Sequence, residues 1–263
     1  ANDDPENYSY YYGDVFANCG SQTDGIELVF GESVEKIPAF MFEVGSETAH
    51  PNIKNVVIGS NVTEIGDSAF RYCGSIENVE FGEKVETIGE YAFSGCVGLE
   101  SIELPESVET ISDGAFASCN GLTELTLPNN VRHIGIDAFE SCSSVETINY
   151  NATNCYVDYN NSEYAFDNCK GVKTVNIGNN VETVPAYAFT GCSNLEKAYI
   201  PDIVINIDPH AFFGCGKVAI VCKNGSYANV FAVQNGVKYV LEDNVTGTAF
   251  EIRNDMLLGY SGS

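Results

Sequence analysis

The fold is decided by the stretch Ala92-Phe93-Ser94-Gly95-Cys96-Val97-Gly98-Leu99-Glu100-Ser101-Ile102-Glu103-Leu104-Pro105-Glu106-Ser107-Val108-Glu109-Thr110-Ile111, which leads into Ala115-Phe116 and then starts again. Its apolar residues follow the spacing L-x-x-L-x-L, and a period in the range of about 20–29 residues with this spacing indicates a solenoid of stacked turns. A unit this short cannot bury its own apolar face, so it needs a neighbour on each side. The pattern therefore predicts one elongated array of repeats.

Cysteine positions show how far the repeat extends. They recur at one constant interval in two groups, separated by a single longer step: Cys73, Cys96, Cys119, Cys142, and then Cys169, Cys192, Cys215. Cys19 fits the same slot, whereas Cys155 and Cys222 lie outside it. Because parallel side chains in one slot do not present the Cβ geometry of a disulfide, we expect buried free thiols that pack as small hydrophobic groups.

Other slots predict the core and its turns. Ile102 and Leu104 alternate with Ser101 and Glu103, which is typical of a short strand with one apolar and one solvated face. A second apolar run of the form Val-x-x-Ile and an Ala-Phe pair in a turn, expected to be helical, complete each unit. A slot that holds Gly in some turns and Pro in others must have negative φ and need no N–H donor, so we do not expect left-handed backbone there.

The predicted organisation has four parts. Residues 1–13 are expected to cap the first turn, residues 14–218 to form the repeats, residues 219–242 to form a C-terminal cap, and residues 243–263 to be a tail or the start of a following segment. In the cap, Ser226 is a candidate N-cap of a helix that ends before Gly236, and a final strand follows. The fold class is thus a leucine-rich repeat solenoid, β-rich with short helical turns, forming one curved array.

These residues resemble the BspA-like leucine-rich repeat family, whose unit runs roughly AF-x-x-C-x-x-L-x-x-I-x-L-P-x-x-V-x-x-I-G. The resemblance covers about residues 14–241 and includes the cap motif at Gly225-Ser226-Tyr227-Ala228 and Asn235-Gly236. It implies a secreted or cell-surface protein of the kind common in gut and oral anaerobic bacteria, with adhesion or host-protein binding, and it implies no enzymatic activity. One departure concerns the slot three residues after the second Leu of the strand, which many leucine-rich repeats fill with Asn or Cys to form a hydrogen-bonded ladder. The residue in this slot varies here, so a continuous polar ladder is not expected.

Composition and motifs narrow the function further. A net charge of −25, from 37 acidic and 12 basic residues, argues against a nucleic-acid surface. No apolar run is long enough to span a membrane. No motif for catalysis, a cofactor or a metal occurs, and the three histidines fall in unrelated slots, so we predict a chain that is not an enzyme, with no catalytic, cofactor or metal residues.

Two surfaces are candidates for binding a protein or glycan of a host or microbial surface. The first is the solvated side of the strands, with the outward residues Glu80, Glu103, Thr126, Asn149, Asn176 and Tyr199. The second is the irregular, longer turn between Cys142 and Cys169, where tyrosines alternate with asparagines, as in recognition loops; its candidates are Tyr150, Tyr156, Tyr159 and Tyr164. A structural spacer that displays other domains, and an accessory domain of a larger surface enzyme, remain alternatives.

Overall fold

Over the residues that it describes, the computed structural model is a parallel β-solenoid of about nine turns with one short helix near the C-terminus, which confirms the predicted fold class. The expected N-terminal cap, residues 1–13, and the expected tail, residues 243–263, lie outside the part of the chain that the structure describes. That part comprises residues 19–20, 23–43, 50–160 and 163–242.

Most turns contribute a longer strand to one row and a two-residue strand to another. The long row contains β1 (Ile26–Val29), β3 (Ile53–Val57), β5 (Asn78–Glu80), β8 (Glu124–Leu127), β10 (Thr147–Tyr150), β12 (Thr174–Ile177), β14 (Lys197–Tyr199), β16 (Ala219–Cys222) and β17 (Lys238–Leu241). The short row contains β2 (Lys36–Ile37), β4 (Glu64–Ile65), β6 (Thr87–Ile88), β7 (Thr110–Ile111), β9 (His133–Ile134), β11 (Tyr156–Val157), β13 (Thr183–Val184) and β15 (Asn206–Ile207).

Neighbouring strands are parallel, and their register follows the sequence repeat. In the short row Ile65 pairs with Ile88, and Ile88 pairs with Ile111. The long row is divided into the sheets β1-β3-β5 and β8-β10-β12-β14-β16-β17. The division falls at Ser101–Leu104, where the predicted strand does not join the ladder, although Ile102 is still buried. The prediction was therefore right about the inward side chain and wrong about the backbone pairing.

A single column of phenylalanine rings runs through the core. Successive rings lie parallel, with centroid separations of 5.0 Å between Phe70 and Phe93, 5.4 Å between Phe93 and Phe116, and 5.5 Å between Phe116 and Phe139. The column runs from Phe42 to Phe212 and crosses the irregular turn, where Phe139 and Phe166 are 5.2 Å apart. Identical slots of successive turns thus stack and exclude water together, as predicted.

None of the ten cysteines forms a disulfide, and eight are buried. The predicted burial is confirmed for the seven slot cysteines from Cys73 to Cys215, whereas Cys19, predicted for the same slot, is only partly buried. Most of those in the repeat slot also donate a hydrogen bond, which the sequence interpretation did not include. The Cys119 thiol lies 3.2 Å from the Phe93 carbonyl oxygen of the preceding turn, and the Cys142 thiol lies 3.2 Å from that of Phe116. A thiol therefore fills this slot as a small hydrophobic group that also satisfies a buried carbonyl.

The segment around each buried Phe was expected to be helical, but it is a run of turns. The N–H groups of Phe93 and Gly95 donate to Ala115 and Ala117 in the next turn, both at 2.8 Å, while the Ser94 and Cys96 N–H groups donate three residues back. This alternation accompanies left-handed backbone two residues before or after the Phe, as at Tyr91 (φ 54°). Glycines of the Gly/Pro slot are not left-handed, as predicted; they are Gly31, Gly59, Gly82 and Gly178.

In the slot that often carries a polar ladder, only some side chains donate hydrogen bonds to the neighbouring turn. Amide groups of Asn61 and Asn130 donate to the carbonyl oxygens of Glu32 and Glu106, both at 2.8 Å. Ile203 occupies the same slot near the C-terminal end and has no polar group to offer. The expectation that this ladder is discontinuous is therefore confirmed.

The C-terminal elements form as predicted from the capping residues. Helix α1 (Tyr227–Gln234) has Ser226 as its N-cap, whose side chain accepts a hydrogen bond from the Asn229 N–H. Gly236 follows the helix with a φ of 66°, the conformation of a C-terminal stop. Strand β17 then pairs in parallel with β16 and extends the long row by one strand.

Candidate functional site

The solvated side of the long strands carries the first set of predicted residues. Glu80, Glu103, Thr126 and Tyr199 are exposed there, whereas Asn149 and Asn176 are half-buried. The reason is a short ladder of side chains. The Asn176 amide donates to the Asn149 side-chain oxygen at 2.8 Å, and the Asn149 amide donates to a Glu124 carboxylate oxygen at 2.6 Å. These amides already have partners within the protein, which leaves them less free to meet a ligand.

Tyr150 does not belong to an exposed surface, which corrects the prediction. It is fully buried, and its ring packs edge-on against Phe189 with a centroid separation of 5.6 Å. Burial, together with the nearby Cys155 thiol, raises the pKa of the Tyr150 hydroxyl well above its ordinary value. Strand alternation explains the position, since Ile148 points inward and the side chain two residues later must do the same.

Tyr156 lies on the row of short strands, at the start of β11. Its side chain is 60% exposed, and its ring stacks on His133 at 5.7 Å. The His133 ring nitrogen Nε2 lies 2.6 Å from an Asp158 oxygen. Partial burial acts to raise the pKa of Asp158, but hydrogen bonds from Tyr156 and His133 outweigh it and hold that pKa below its ordinary value.

Tyr159 and Tyr164 are brought together by the irregular turn. The four extra residues were predicted to map to a loop at this point, and on either side of it Tyr159 and Tyr164 form an antiparallel bridge. The Asn160 N–H donates to the Glu163 carbonyl oxygen at 3.2 Å. The bridge and this hydrogen bond therefore hold the two tyrosines close to each other.

These two tyrosines join three further rings that the sequence interpretation missed. The Tyr187 ring lies at the centre, 4.3 Å from Tyr159, 5.4 Å from Tyr164, 5.1 Å from His210 and 6.4 Å from Phe213. The Tyr159 and Phe213 side chains are 49% and 57% exposed. We call these five residues the aromatic cluster. The signal was present in the sequence, because Tyr164, Tyr187 and His210 share one slot of the repeat, each two positions before a core Phe.

Carboxylates border the aromatic cluster on its N-terminal side. Asp137 occupies the same slot as Tyr164, one turn earlier. Partial burial, and then the negative charges of neighbouring side chains, raise the pKa of Asp137 to about 6. Those neighbours are Glu140, Glu163, Asp167 and Asp113. We call Asp137, Glu140, Glu163 and Asp167 the acidic group; in the described part of the chain none of the four forms an ion pair.

The acidic group differs from a metal centre. Among residues 19–20, 23–43, 50–160 and 163–242, no three His, Cys, Asp or Glu side chains are grouped so that they could hold a metal ion. Over the same residues, no helix has the length and apolar character needed to cross a membrane. The acidic group is therefore a set of carboxylates beside aromatic rings, without the arrangement of ligands that a metal ion needs.

The sequence matches the family model described as BspA type leucine-rich repeat region, in six copies, over residues 47–161 and 158–232. No curated protein matches the chain. Among solved structures, the T. pallidum leucine-rich repeat protein TpLRR is 23% identical with a TM-score of 0.54, and the match covers 78% of this chain and 89% of that one. This likeness supports the fold.

Two further solved structures are similar in sequence but less so in shape. A leucine-rich repeat protein from Bacteroides ovatus is 27% identical, with a TM-score of 0.42 and coverage of 72% of this chain and 61% of that one. A leucine rich cell surface protein from Faecalibacterium prausnitzii is 20% identical, with a TM-score of 0.42 and coverage of 74% and 75%. The present chain thus spans about three fifths of the B. ovatus protein.

Proposed function

Because the chain belongs to the family of proteins with a BspA-type leucine-rich repeat region, we propose that it is a non-enzymatic binding module, secreted or held at a cell surface, that recognises a protein or glycan partner. Repeats of this kind stack into one broad surface, which suits recognition more than chemistry. Buried thiols are compatible with an extracellular setting, since eight of the ten cysteines are shielded from oxidants.

The aromatic cluster is the observation that carries this proposal. Tyrosine rings supply a large contact area at little cost in conformational entropy, and they are enriched in recognition surfaces. Here the Tyr159 and Phe213 rings are about half exposed, and Tyr187 offers a partly buried apolar surface beside them. A contiguous exposed patch of this kind on a water-facing surface is typical of an interaction site.

A pair of double variants tests the proposal on protein and glycan arrays. Tyr159→Ala/Phe213→Ala removes the two most exposed rings of the cluster, and Tyr156→Ala/Tyr199→Ala removes two exposed rings elsewhere. We expect the wild-type chain to bind a subset of the arrayed molecules, and the first variant to lose at least about nine tenths of that signal, since interface hot spots cost more than about 1.4 kcal/mol. The control should keep most of it.

A spacer role gives a different result in the same assay. If the wild-type chain binds no arrayed protein or glycan, the binding proposal fails and the display of neighbouring domains becomes the better explanation. If the control variant loses as much signal as the cluster variant, the aromatic cluster is not the binding site. Circular dichroism of each variant would establish that the solenoid is intact before binding is compared.

A further inference from the structure

In the N-terminal half of the solenoid, the Arg71 side chain lies against two tyrosine rings and one carboxylate. The Arg71 guanidinium carbon lies 4.8 Å from the centre of the Tyr72 ring and 5.0 Å from the centre of the Tyr91 ring. Its Nη1 atom also lies 3.2 Å from a Glu43 carboxylate oxygen. The rings and the carboxylate together stabilise the guanidinium through cation–π contact and a charge-assisted hydrogen bond.

Repeat slots identify the equivalent positions in the C-terminal half. Glu43 and Arg71 each follow a core Phe, and Tyr91 stands two residues before the next one. In the C-terminal half, Tyr187 corresponds to Tyr91. Relative to Tyr187, the position of Arg71 is filled by Asp167 and the position of Glu43 is filled by Glu140. The aromatic ring and the first carboxylate are retained, but an acid replaces the arginine.

In the described chain, no lysine or arginine makes a cation–π contact with Tyr187. Both cation–π contacts of the described residues belong to Arg71, and the acidic group has no lysine or arginine partner among them. Like charges repel one another, and an aromatic face is electron-rich, so both features favour a positive group from outside. A net charge of −25 over the chain adds a long-range attraction in the same direction.

We infer that the aromatic cluster and the acidic group together bind an arginine side chain from an extended basic segment of a protein partner. The guanidinium lies against Tyr187 and Tyr159, and Asp167, Glu140 and Glu163 supply the carboxylates, as Glu43 does for Arg71. This inference rests on the proposed function and names the chemistry of the partner. A neutral glycan could stack on the same rings, but it would leave the carboxylates uncompensated.

A short peptide tests the inference directly. The probe is acetyl-Gly-Arg-Gly-Arg-Gly-amide, titrated by calorimetry at low salt, and its control replaces both arginines by citrulline, which keeps the shape and removes the charge. We expect the arginine peptide to bind and the citrulline peptide to bind at least about tenfold more weakly, since charge-assisted bonds are about twice as strong as neutral ones. Equal affinity for the two peptides would overturn the inference.

Substitutions distinguish binding at this site from attraction by the overall negative charge of the protein. Tyr187→Asn removes the central ring and keeps a residue that tolerates left-handed backbone, and we expect affinity for the peptide to fall about two- to fivefold. Glu163→Gln/Asp167→Asn should weaken binding further, whereas Glu83→Gln/Glu86→Gln makes the same charge change at two exposed positions of an earlier turn and should have little effect. An equal loss in both double variants would mean that net charge alone attracts the peptide.

A single charge reversal provides the sharpest result. Asp167→Arg recreates the order Glu, Arg, Tyr seen at Arg71, so the new side chain should occupy the site and abolish peptide binding. Glu83→Arg makes the same change in net charge at an exposed position of an earlier turn and should preserve most of the binding. If Asp167→Arg still binds the peptide, the inference is wrong.

The array experiment keeps this inference distinct from the proposed function. Array binding that depends on Tyr159 and Phe213 but involves only glycans or proteins without basic segments would uphold the binding module and overturn the arginine partner. Absence of both array binding and peptide binding would overturn both.

Discussion

Replacing Phe116 by alanine is the most direct test of how the solenoid is held together. The Phe116 side chain has no exposed surface, and its ring stacks on Phe93 at 5.4 Å and on Phe139 at 5.5 Å. Truncation of a fully buried phenylalanine removes its transfer free energy and leaves a cavity, which together cost about 3–5 kcal/mol. Because the ring belongs to a continuous column, the neighbouring turns cannot close the gap without losing their own contacts.

Stability in a solenoid is approximately a sum of turn stabilities and nearest-neighbour terms, so the loss at Phe116 falls mainly on two interfaces. We therefore expect a free energy of unfolding lower by about 3–5 kcal/mol. We also expect the free energy of unfolding to fall less steeply with urea concentration if the N- and C-terminal halves unfold separately. This slope scales with the surface exposed in one unfolding transition. Phe116→Leu keeps most of the volume and should cost less than about 1.5 kcal/mol.

Urea unfolding followed by circular dichroism and by tyrosine fluorescence measures both quantities, and the chain has 15 tyrosines and no tryptophan. Phe213→Ala is the matched control, because that side chain is 57% exposed and should cost less than about 1 kcal/mol. A Phe116→Ala variant within about 1 kcal/mol of the wild type would contradict the reasoning, since a deeply buried ring in a shared column cannot be removed so cheaply.

Two further predictions concern thiols and charge. Thiol titration of the native protein should find at most two reactive groups, the partly exposed Cys19 and Cys155, and ten after denaturation; disulfide-linked pairs in the native protein would contradict the buried free thiols. Asp137→Asn should leave stability unchanged near pH 3 and raise it by about 1 kcal/mol at pH 7, a value reduced for solvent screening, because the folded pKa of about 6 exceeds the ordinary 3.8. The folded state favours the protonated carboxyl, so wild-type stability declines as the pH rises from about 4 through about 6. The urea midpoint is measured for both proteins at pH 3 and at pH 7. If the midpoint changes between these pH values by the same amount in the wild type and the variant, the prediction is wrong.

Much of the core could be predicted because every turn has nearly the same length. A residue type that recurs at the interval of the repeat must lie next to its counterpart in the neighbouring turn. The Phe column and the buried Cys slot therefore follow from spacing alone. The pairing of backbone strands was less predictable, as Ser101–Leu104 shows. Side-chain alternation fixes which face is apolar, but it does not fix how closely one turn approaches the next.

Left-handed positions were the main structural feature that the sequence did not reveal. Glycine is the usual signal for positive φ, yet Tyr91, Asp137 and Tyr187 all adopt it, with φ between 54° and 57°. Hydrogen bonds on both sides of each turn hold the backbone there, so the conformation is imposed by the array and not by the residue. Aligning the turns by slot would have given a hint, since Gly114 stands at the same position.

The error at Tyr150 and the missed cluster have a common origin. Both arose from grouping tyrosines by their closeness in sequence, within one irregular turn. In the structure the relevant distance is one turn, so the Tyr159 ring meets the Tyr187 ring of the following turn at 4.3 Å, while Tyr150 points into the core. In a solenoid, candidate sites are better sought down the columns of the repeat than along the chain.

This relation between slot and column also explains how such a surface can vary without harming the fold. The slot two residues before each core Phe faces the turn edge, and it reads Gly114, Asp137, Tyr164, Tyr187 and His210 in consecutive turns. Side chains placed there become neighbours at about the spacing of the turns, as the separations of 5.4 Å and 5.1 Å around Tyr187 show. Phe and Cys supply the buried contacts at other slots of the same turn, so changes in this slot alter charge and aromatic character while the core stays intact. The sequence of residues in one slot therefore determines the order of acidic and aromatic groups along the edge, and with it the kind of partner that the edge can accept.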